Sequence, residues 1–200
     1  MILFRHGEST RNDGSNRADP DPALTLRGEA ESRQLFAYLA GRGIDGMVAS
    51  SPAQRTVRTF DVGTVDTPLA STSRFISADF EEIDMGVYTG MTKQEIFAIP
   101  GVQDEIDELG NDWRPKGGES VTDRAEKMYE GLERFGDSVA ALDGHSFGLK
   151  ALIGVRLGWS RQQILEYSIS NAEAVEFDIF EPAEPVRLFK PDVSDEFPDL

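Results

Sequence analysis

The chain has 200 residues, enough for one domain with a sizeable core. Its net charge of −16 argues against nucleic acid and anionic membranes as partners, because an acidic surface is repelled by both. The absence of cysteine excludes disulfides and thiol chemistry, and no window approaches the ~20 apolar residues that a membrane-spanning helix needs.

The first predicted element is a buried strand, because the apolar run 1–4 ends in a charged, glycine-containing turn, Arg5-His6-Gly7. In open α/β sheets, ligands bind at the carboxyl ends of the strands. His6 can act there as a base, a nucleophile or a metal ligand, and Arg5 provides a fixed positive charge suited to phosphate.

The segment 12–22 is rich in Asp, Asn, Gly and Pro and predicts a loop. Thr25 is expected to cap the helix that follows, and a second strand is predicted at 46–50. Ser51 is expected to be the N-cap of the next helix, with Pro52 at the first helical position.

Arg55 then falls on the first turn of that helix, where free N–H groups and the helix dipole favour an anion. Arg58 lies one turn further along the same face. The alternative interpretation is that both arginines form surface ion pairs, the commoner situation for arginines on helices.

A third strand is predicted at 75–80, before an acidic run at 81–84 that would ordinarily be a solvated loop. Gly86 and Gly90 suggest a backbone held in special conformations near a ligand or another segment. Residues 91–116 are predicted to be a helical excursion that could form a small cap over a site.

Ser120 and Asp123 resemble a capping box at the start of a helix. A fourth strand at 138–142 leads to His145, and a helix is expected at about 149–157. The remaining predicted elements are a helix at about 161–167 and strands at 174–180 and 186–189.

Both histidines of the chain, His6 and His145, follow predicted strands. A lone histidine is usually structural, but two of them at strand ends, with Arg5 and Arg55 at similar edges, predict a site.

Two alternative sites are a serine esterase site and a metal site. Residues 144–148 fit the G-x-S-x-G nucleophile elbow of a serine esterase with Ser146 as nucleophile, but that fold needs a histidine after the serine, and none follows. No close ligand spacing supports a metal site, so none is predicted.

Five ordered motifs resemble those of the histidine phosphatase superfamily, in the branch that includes cofactor-dependent phosphoglycerate mutases. The resemblance extends to about residue 155. The motifs are Arg5-His6-Gly7-Glu8-Ser9 with Asn12, Leu24-Thr25-Leu26-Arg27-Gly28, Ser51-Pro52-Ala53-Gln54-Arg55-Thr56, Glu82 to Gly90, and Gly118-Glu119-Ser120 followed by Gly144-His145-Ser146.

The resemblance implies a three-layer α/β/α sandwich with a mostly parallel central sheet and a small helical cap insertion. It also implies that His6 attacks phosphorus to give a phosphohistidine, with Glu82 as general acid and base. Arg5, Arg55 and His145 would hold the phosphoryl oxygens, so that neither a metal nor another cofactor is required. Secondary phosphate or substrate contacts are expected from Ser9, Asn12, the N–H of Ser146 and Lys93.

Departures from the family pattern favour a phosphatase over a mutase. The mutases carry an arginine pair in the cap for the substrate carboxylate, whereas this chain has only Arg114 and Lys116 there, with Lys93 placed much like a cap lysine. Phe147 is bulky where relatives have a small residue, and it is expected to shape the pocket. A non-catalytic phosphate-binding protein is disfavoured because binding alone needs neither His6 nor Glu82.

The sequence therefore predicts a single domain at 1–190 with a cap insertion at about 86–118, followed by an acidic tail at 191–200. The expected partner is a small phosphorylated metabolite, with no nucleic acid and no membrane. Because no signal-peptide pattern is visible, we expect a cytoplasmic protein. The sequence does not indicate an oligomeric state.

Overall fold

The computed structural model describes residues 1–15 and 19–194. The strands in these ranges are β1 (Ile2–Arg5), β2 (Met47–Ser50), β3 (Arg74–Ile76), β4 (Val139–Gly144), β5 (Ala174–Glu176) and β6 (Val186–Phe189). They form one sheet in the order β3-β2-β4-β1-β5-β6. Pairings among β1 to β4 are parallel, while β5 and β6 run antiparallel to their neighbours, which confirms the mostly parallel sheet.

The described residues also form α1 (Leu26–Gly41), α2 (Gln54–Gly63), α3 (Lys93–Phe97), α4 (Val102–Leu109), α5 (Val121–Glu133), α6 (Ser146–Arg156) and α7 (Arg161–Glu166). Helices cover both faces of the sheet because side chains alternate along each strand. In β1, Ile2 and Phe4 pack in a cluster with Phe36 of α1, whereas Leu3 packs with Met128 of α5. The predicted three-layer sandwich is confirmed.

The cap insertion lies between β3 and α5 and has a small core of its own. Its buried side chains are Ile96, Val102, Ile106 and Trp113. Tyr88 stacks on Trp113 with ring centroids 6.1 Å apart, which joins the start of the insertion to its end. The helical excursion predicted at 91–116 therefore forms as two short helices.

The predicted N-caps of two helices, α1 and α5, are confirmed. The Thr25 side chain accepts a hydrogen bond from the Gly28 N–H at 3.0 Å, as predicted for the N-cap of α1. Ser120 and Asp123 form a reciprocal capping box at α5. In both cases the side chain that satisfies the free N–H group lies within three residues of it.

The predicted start of α2 is wrong, because Ala53 and not Ser51 is its N-cap and the helix begins at Gln54. The Ser51 hydroxyl is used instead in a contact with a distant side chain, described below. The predicted start of α6 is also wrong, since the helix begins directly after His145, at Ser146 rather than near residue 149.

Two predicted strands are shorter than expected. β3 ends at Ile76, since the Ser77 hydroxyl caps a 3₁₀ turn that carries Phe80 into the core. β5 ends at Glu176 and is followed by a turn in which the Asp178 carboxylate accepts the N–H of Phe180. In both segments a polar side chain accepts a hydrogen bond from a nearby backbone N–H group, which favours a turn over continuation of the strand.

Asp192 and Val193, near the end of the described residues, pack close to α1. The Asp192 backbone and the Gln34 side chain exchange two hydrogen bonds, at 2.8 and 3.0 Å, and Val193 is buried. Residues 16–18 of the predicted loop and 195–200 of the predicted acidic tail lie outside the described residues. No helix within 1–15 and 19–194 combines the length and apolar character required to cross a bilayer.

Gly28 allows α1 to touch the loop that follows β1. A Cβ atom on Gly28 would lie 2.0 Å from the Glu8 carbonyl oxygen, and one on Gly7 would lie 2.3 Å from the Gly28 carbonyl oxygen. We expect Gly28→Ala to lower the free energy of unfolding by about 1–3 kcal/mol, because neither backbone can yield locally. Urea denaturation measures this effect.

Gly41 provides the matched control, because it lies in the same helix and a Cβ atom there would meet nothing within 4 Å. Gly41→Ala is expected to leave stability unchanged or to raise it by less than about 1 kcal/mol. An equal fall in the free energy of unfolding in the two variants would contradict the explanation that Gly28 is required by the close approach of two backbones.

Candidate active site

The two histidines meet because their strands are neighbours in register. Arg5, at the end of β1, pairs with Gly144 at the end of β4. His6 and His145 are the next residues, and their ring centroids lie 5.3 Å apart. Both side chains are almost fully buried. The structure therefore brings together the residues that sequence analysis placed at one sheet edge.

His6 is held in an orientation suited to nucleophilic attack. Its Nδ1 lies 2.7 Å from the Gly7 carbonyl oxygen. Because a carbonyl oxygen can only accept, Nδ1 must carry the hydrogen, which leaves a lone pair on Nε2. Burial, and then the charges of Arg5 and Arg55, lower the pKa of His6 well below its ordinary value. The ring is therefore neutral at neutral pH, as a nitrogen nucleophile must be.

Two arginines with incomplete pairing lie beside the histidines, Arg5 half-buried and Arg55 buried. Arg5 donates from Nη1 to the Ile169 carbonyl at 2.9 Å, while its Nε is buried without a partner. Arg55 is only 7% exposed, and its Nη1 lies 3.5 Å from the Asp21 carboxylate. Burial lowers the pKa of each guanidinium, and the Glu82 charge opposes that shift. Both remain protonated and can bind an anion.

Arg58, by contrast, points away from this site. It is exposed and pairs with Glu29 at 2.7 Å. The surface ion pair considered for both arginines is thus found for Arg58, whereas Arg55 is buried beside the histidines.

His145 is oriented by a residue that sequence analysis assigned elsewhere. Its Nε2 lies 2.8 Å from the Ser51 hydroxyl, which also accepts the Ala53 N–H. The Nδ1 atom of His145 is buried and has no partner within the described residues. If the hydroxyl donates to Nε2, Nδ1 carries a hydrogen that is free for an anionic ligand. Burial, followed by the Arg55 charge, lowers the pKa of His145 well below its ordinary value.

Glu82 is fixed at the N-terminus of α6. Its Oε1 accepts the N–H groups of Gly148, at 2.8 Å, and of Ile83, at 3.0 Å, and its Oε2 accepts the N–H of Phe147 at 3.1 Å. Ser146 is the first residue of the same helix. The acidic run at 81–84 is therefore not simply a solvated loop, because α6 holds one of its carboxylates beside the histidines.

The turn after His6 is locked by Asn12, whose side-chain oxygen accepts from the Ser9 N–H at 3.1 Å and the Ser9 hydroxyl at 2.8 Å. Asn171 donates to the same oxygen at 3.1 Å and to the His6 carbonyl at 3.2 Å. Sequence analysis did not identify Asn171, which follows no motif and reaches the site only because β5 lies beside β1.

Thr59, on α2, supports the loop that follows β1 and contains His6 and Gly7. Its hydroxyl accepts the Gly7 N–H at 3.0 Å and donates to the Arg55 carbonyl at 2.7 Å. Thr59→Val should lower the free energy of unfolding by about 1–3 kcal/mol, because a buried N–H loses its acceptor. It should also lower the catalytic rate, because Gly7 is the residue whose carbonyl orients His6. Unfolding and phosphatase assays measure the two effects.

Thr64 is the control for this prediction. It is also buried, as the C-cap residue that follows α2, and its hydroxyl donates to the Phe60 carbonyl in the same i to i−4 manner, at 2.9 Å. Thr64→Val removes a hydrogen bond from a threonine hydroxyl to a helix carbonyl, but it leaves the hydroxyl that accepts the Gly7 N–H in place. Equal effects of the two variants on activity would show that Thr59 does not act through the loop.

A cavity of about 1280 Å³ opens between the sheet edge and the cap. Its lining includes Arg55, Glu82 and His145 on one side and Lys93 on the cap. Phe147 lines it as well, as expected for a bulky residue at that position. The predicted cap residue Arg114 instead pairs with Asp123 at the surface.

The further basic residues that line the cavity are Arg11, Arg124, Lys127, Lys150 and Arg161. Lys150 and Arg161 were not identified from the sequence. Lys150 lies three positions after Phe147 on α6, a helical spacing that could have indicated a shared face. Arg161 is the first residue of α7, and no local pattern points to it.

Among the residues that the structure describes, no three His, Asp or Glu side chains are grouped closely enough to hold a metal ion. Glu119, in the Gly118-Glu119-Ser120 motif, is used structurally. Its carboxylate pairs with Arg124 and Lys127, and its Oε2 also accepts the Asp84 N–H at 3.2 Å.

A family model described as "Histidine phosphatase superfamily (branch 1)" matches residues 1–189. The chain belongs to this superfamily. The resemblance drawn from the five motifs is thus confirmed. A search of curated proteins gives no match for this superfamily member.

Solved structures of two phosphatases and a hydrolase share the fold of this histidine phosphatase superfamily member. Mycobacterial glucosyl-3-phosphoglycerate phosphatase is 18% identical with a TM-score of 0.72, and the match covers 96% of this chain and 99% of the other. Phosphoserine phosphatase from Entamoeba histolytica, in complex with 3-phosphoglyceric acid, is 18% identical with a TM-score of 0.74 over 94% of each chain. A mycobacterial hydrolase is 21% identical, with a TM-score of 0.71 over 88% of this chain and 89% of the other.

Proposed function

We propose that this chain is a metal-independent phosphatase that hydrolyses a small phosphomonoester through a phosphohistidine on His6. The observation that carries the proposal is the buried, neutral His6 ring beside incompletely paired Arg5 and Arg55. Nδ1 of this ring is occupied, and no hydrogen-bond partner for its Nε2 is found among the described residues. Membership of a superfamily with phosphatase structures supports the reaction class.

In the first step, the Nε2 lone pair of His6 attacks phosphorus, and the bond between phosphorus and the leaving oxygen breaks. The Glu82 carboxyl group gives its proton to that oxygen, so that a neutral alcohol leaves. Arg5, Arg55 and Nδ1 of His145 hold the three non-bridging oxygens and stabilise the charge that develops on them.

In the second step, water attacks the phosphohistidine. The Glu82 carboxylate takes a proton from the water, the bond between phosphorus and Nε2 breaks, and inorganic phosphate and neutral His6 are released. Asn12, Ser9, the Ser146 N–H and Lys93 are proposed to support substrate binding. The sequence and cap together favour a small metabolite as substrate.

The alternatives receive less support from the geometry. A phosphoglycerate mutase-type phosphotransferase would need the neighbouring arginine pair that the mutases carry in the cap, but Arg114 has no arginine beside it and pairs with Asp123 at the surface. For a serine esterase, Ser146 would need a histidine as base, but the neighbouring His145 presents Nε2 to Ser51.

The direct test measures phosphate release from an aryl phosphate in the presence of excess chelator. We expect activity that the chelator does not reduce, together with a phosphorylated protein that survives an alkaline quench and is lost in acid, as a phosphohistidine should be. Activity that disappears with the chelator and returns with a divalent cation would contradict the metal-independent mechanism.

A further inference from the structure

Arg161 is a partly buried cation without a counter-ion. Its Nε and Nη1 are buried and have no hydrogen-bond partner, and no carboxylate in residues 1–15 and 19–194 lies within ion-pair distance of it. Burial lowers the pKa of this guanidinium to about 10, so that it remains charged at neutral pH. A desolvated, unpaired charge is costly to maintain, and an anionic ligand would offset that cost.

The guanidinium is positioned on the cavity wall by two aromatic rings. Its central carbon lies 5.4 Å from the ring centroid of Trp113 in the cap and 5.9 Å from that of Phe147 on α6. These contacts contribute cation–π attraction and fix the plane of the group. They leave the N–H donors unpaired, so ring contacts alone do not account for its hydrogen-bonding capacity.

Lys150 adds a second positive charge to the same wall. Its ammonium lies 5.2 Å from the Phe147 ring centroid, on the ring that Arg161 also contacts, and the residue is only 9% exposed. Burial lowers the pKa of Lys150, the nearby Glu82 charge opposes that shift, and Lys93 adds to it. Thus two cations around Phe147 face a cavity in a chain whose net charge is −16.

We propose that Arg161, assisted by Lys150, binds a carboxylate that the phosphomonoester carries in addition to its phosphoryl group. This inference rests on the proposed function and narrows its substrate class to phosphorylated carboxylic acids. A carboxylate matches the planar fork of an arginine, which can donate two parallel hydrogen bonds to it. Phe147, the residue that departs from the family pattern, is the ring that both cations contact.

The test compares the binding of matched ligands to a His6→Ala background, in which turnover is blocked. The probes are carboxyalkyl phosphates with one to five methylene groups, each paired with the alkyl phosphate of the same length. Isothermal titration calorimetry gives the affinity ratio within each pair. We expect the carboxylated member to bind about 10- to 100-fold more tightly at the length that spans the site, the range of a charge-assisted hydrogen bond.

Arg161→Gln should remove most of that preference, and Arg161→Lys should retain part of it, because the charge remains but the fork is lost. Arg114→Gln is the matched control, since it removes one positive charge from an exposed arginine that pairs with Asp123 outside the cavity lining, and it should keep the full ratio. Far-ultraviolet circular dichroism shows whether each variant is folded.

The proposal is overturned if no pair at any length shows a preference in the His6→Ala background, or if a folded Arg161→Gln variant keeps it. These outcomes are separate from failure of the proposed function. A chain that binds carboxyalkyl phosphates through Arg161 but does not hydrolyse any phosphoester would keep the subsite and lose the catalytic proposal. A chain that hydrolyses aryl phosphates without preferring carboxylated ligands would keep the catalytic proposal and lose the subsite.

Discussion

Replacing His6 with alanine is expected to lower kcat for aryl phosphate hydrolysis by at least ~10⁴-fold, as removal of a covalent nucleophile does in other enzymes. The physical reason is that Nε2 of His6 forms the bond to phosphorus in the proposed mechanism, so the substitution removes the covalent step. The acid-labile phosphoprotein should disappear together with the activity. Both are measured in the presence of excess chelator.

His145→Gln provides the comparison within the same site. His145 holds a phosphoryl oxygen in the proposed mechanism but does not form a bond to phosphorus, so its loss should cost about 10²–10³-fold in kcat. The phosphoprotein should still form in this variant, only more slowly. Undiminished hydrolysis by His6→Ala, or a phosphoprotein that persists in it, would refute the phosphohistidine mechanism.

Glu82→Gln should produce a loss that grows with the pKa of the leaving group. For alkyl phosphates, whose leaving oxygen needs a proton, we expect kcat/KM to fall by about 10²–10⁴-fold. For p-nitrophenyl phosphate the fall in kcat/KM should be much smaller, because that leaving group departs as an anion. A plot of log kcat/KM against leaving-group pKa is therefore expected to be steeper for the variant than for the wild type.

The second step provides an independent measurement on the same variant. Because Glu82 also activates the attacking water in the proposed mechanism, Glu82→Gln should accumulate phosphoprotein when p-nitrophenyl phosphate is the substrate, with a burst of p-nitrophenol. Glu81→Gln is the matched control, since Glu81 is an adjacent, exposed carboxylate that makes no side-chain hydrogen bond within the described residues. An equal fall in kcat/KM for all leaving groups would show that Glu82 acts in positioning alone.

Part of the site could be read from the sequence because its residues occur in short local patterns. His6 and His145 each follow an apolar strand, and parallel neighbours deliver such residues to one edge of the sheet. The helix caps at Thr25 and Ser120 were predicted correctly for a similar reason, since each cap satisfies an N–H only three residues away. Local spacing is sufficient for these features.

Other features depended on the tertiary structure. Ser51 has the local pattern of an N-cap, yet its hydroxyl binds His145, 94 positions away. Thr59 accepts the N–H of Gly7 across 52 positions, and α6 fixes Glu82 across 66. A local pattern cannot specify such contacts, because they depend on which strands are neighbours and on their register.

The sequence by itself determined the α/β class, the superfamily, and the identities of the residues at the sheet edge. Only the tertiary structure decided which nitrogen of His6 carries the hydrogen, which hydroxyl holds His145, and that Arg161 lines the cavity with no carboxylate of residues 1–15 and 19–194 in ion-pair distance. The physical reason is that periodicity and capping act over a few residues. Hydrogen-bond partners and desolvation at a site are set by packing among segments far apart in the chain.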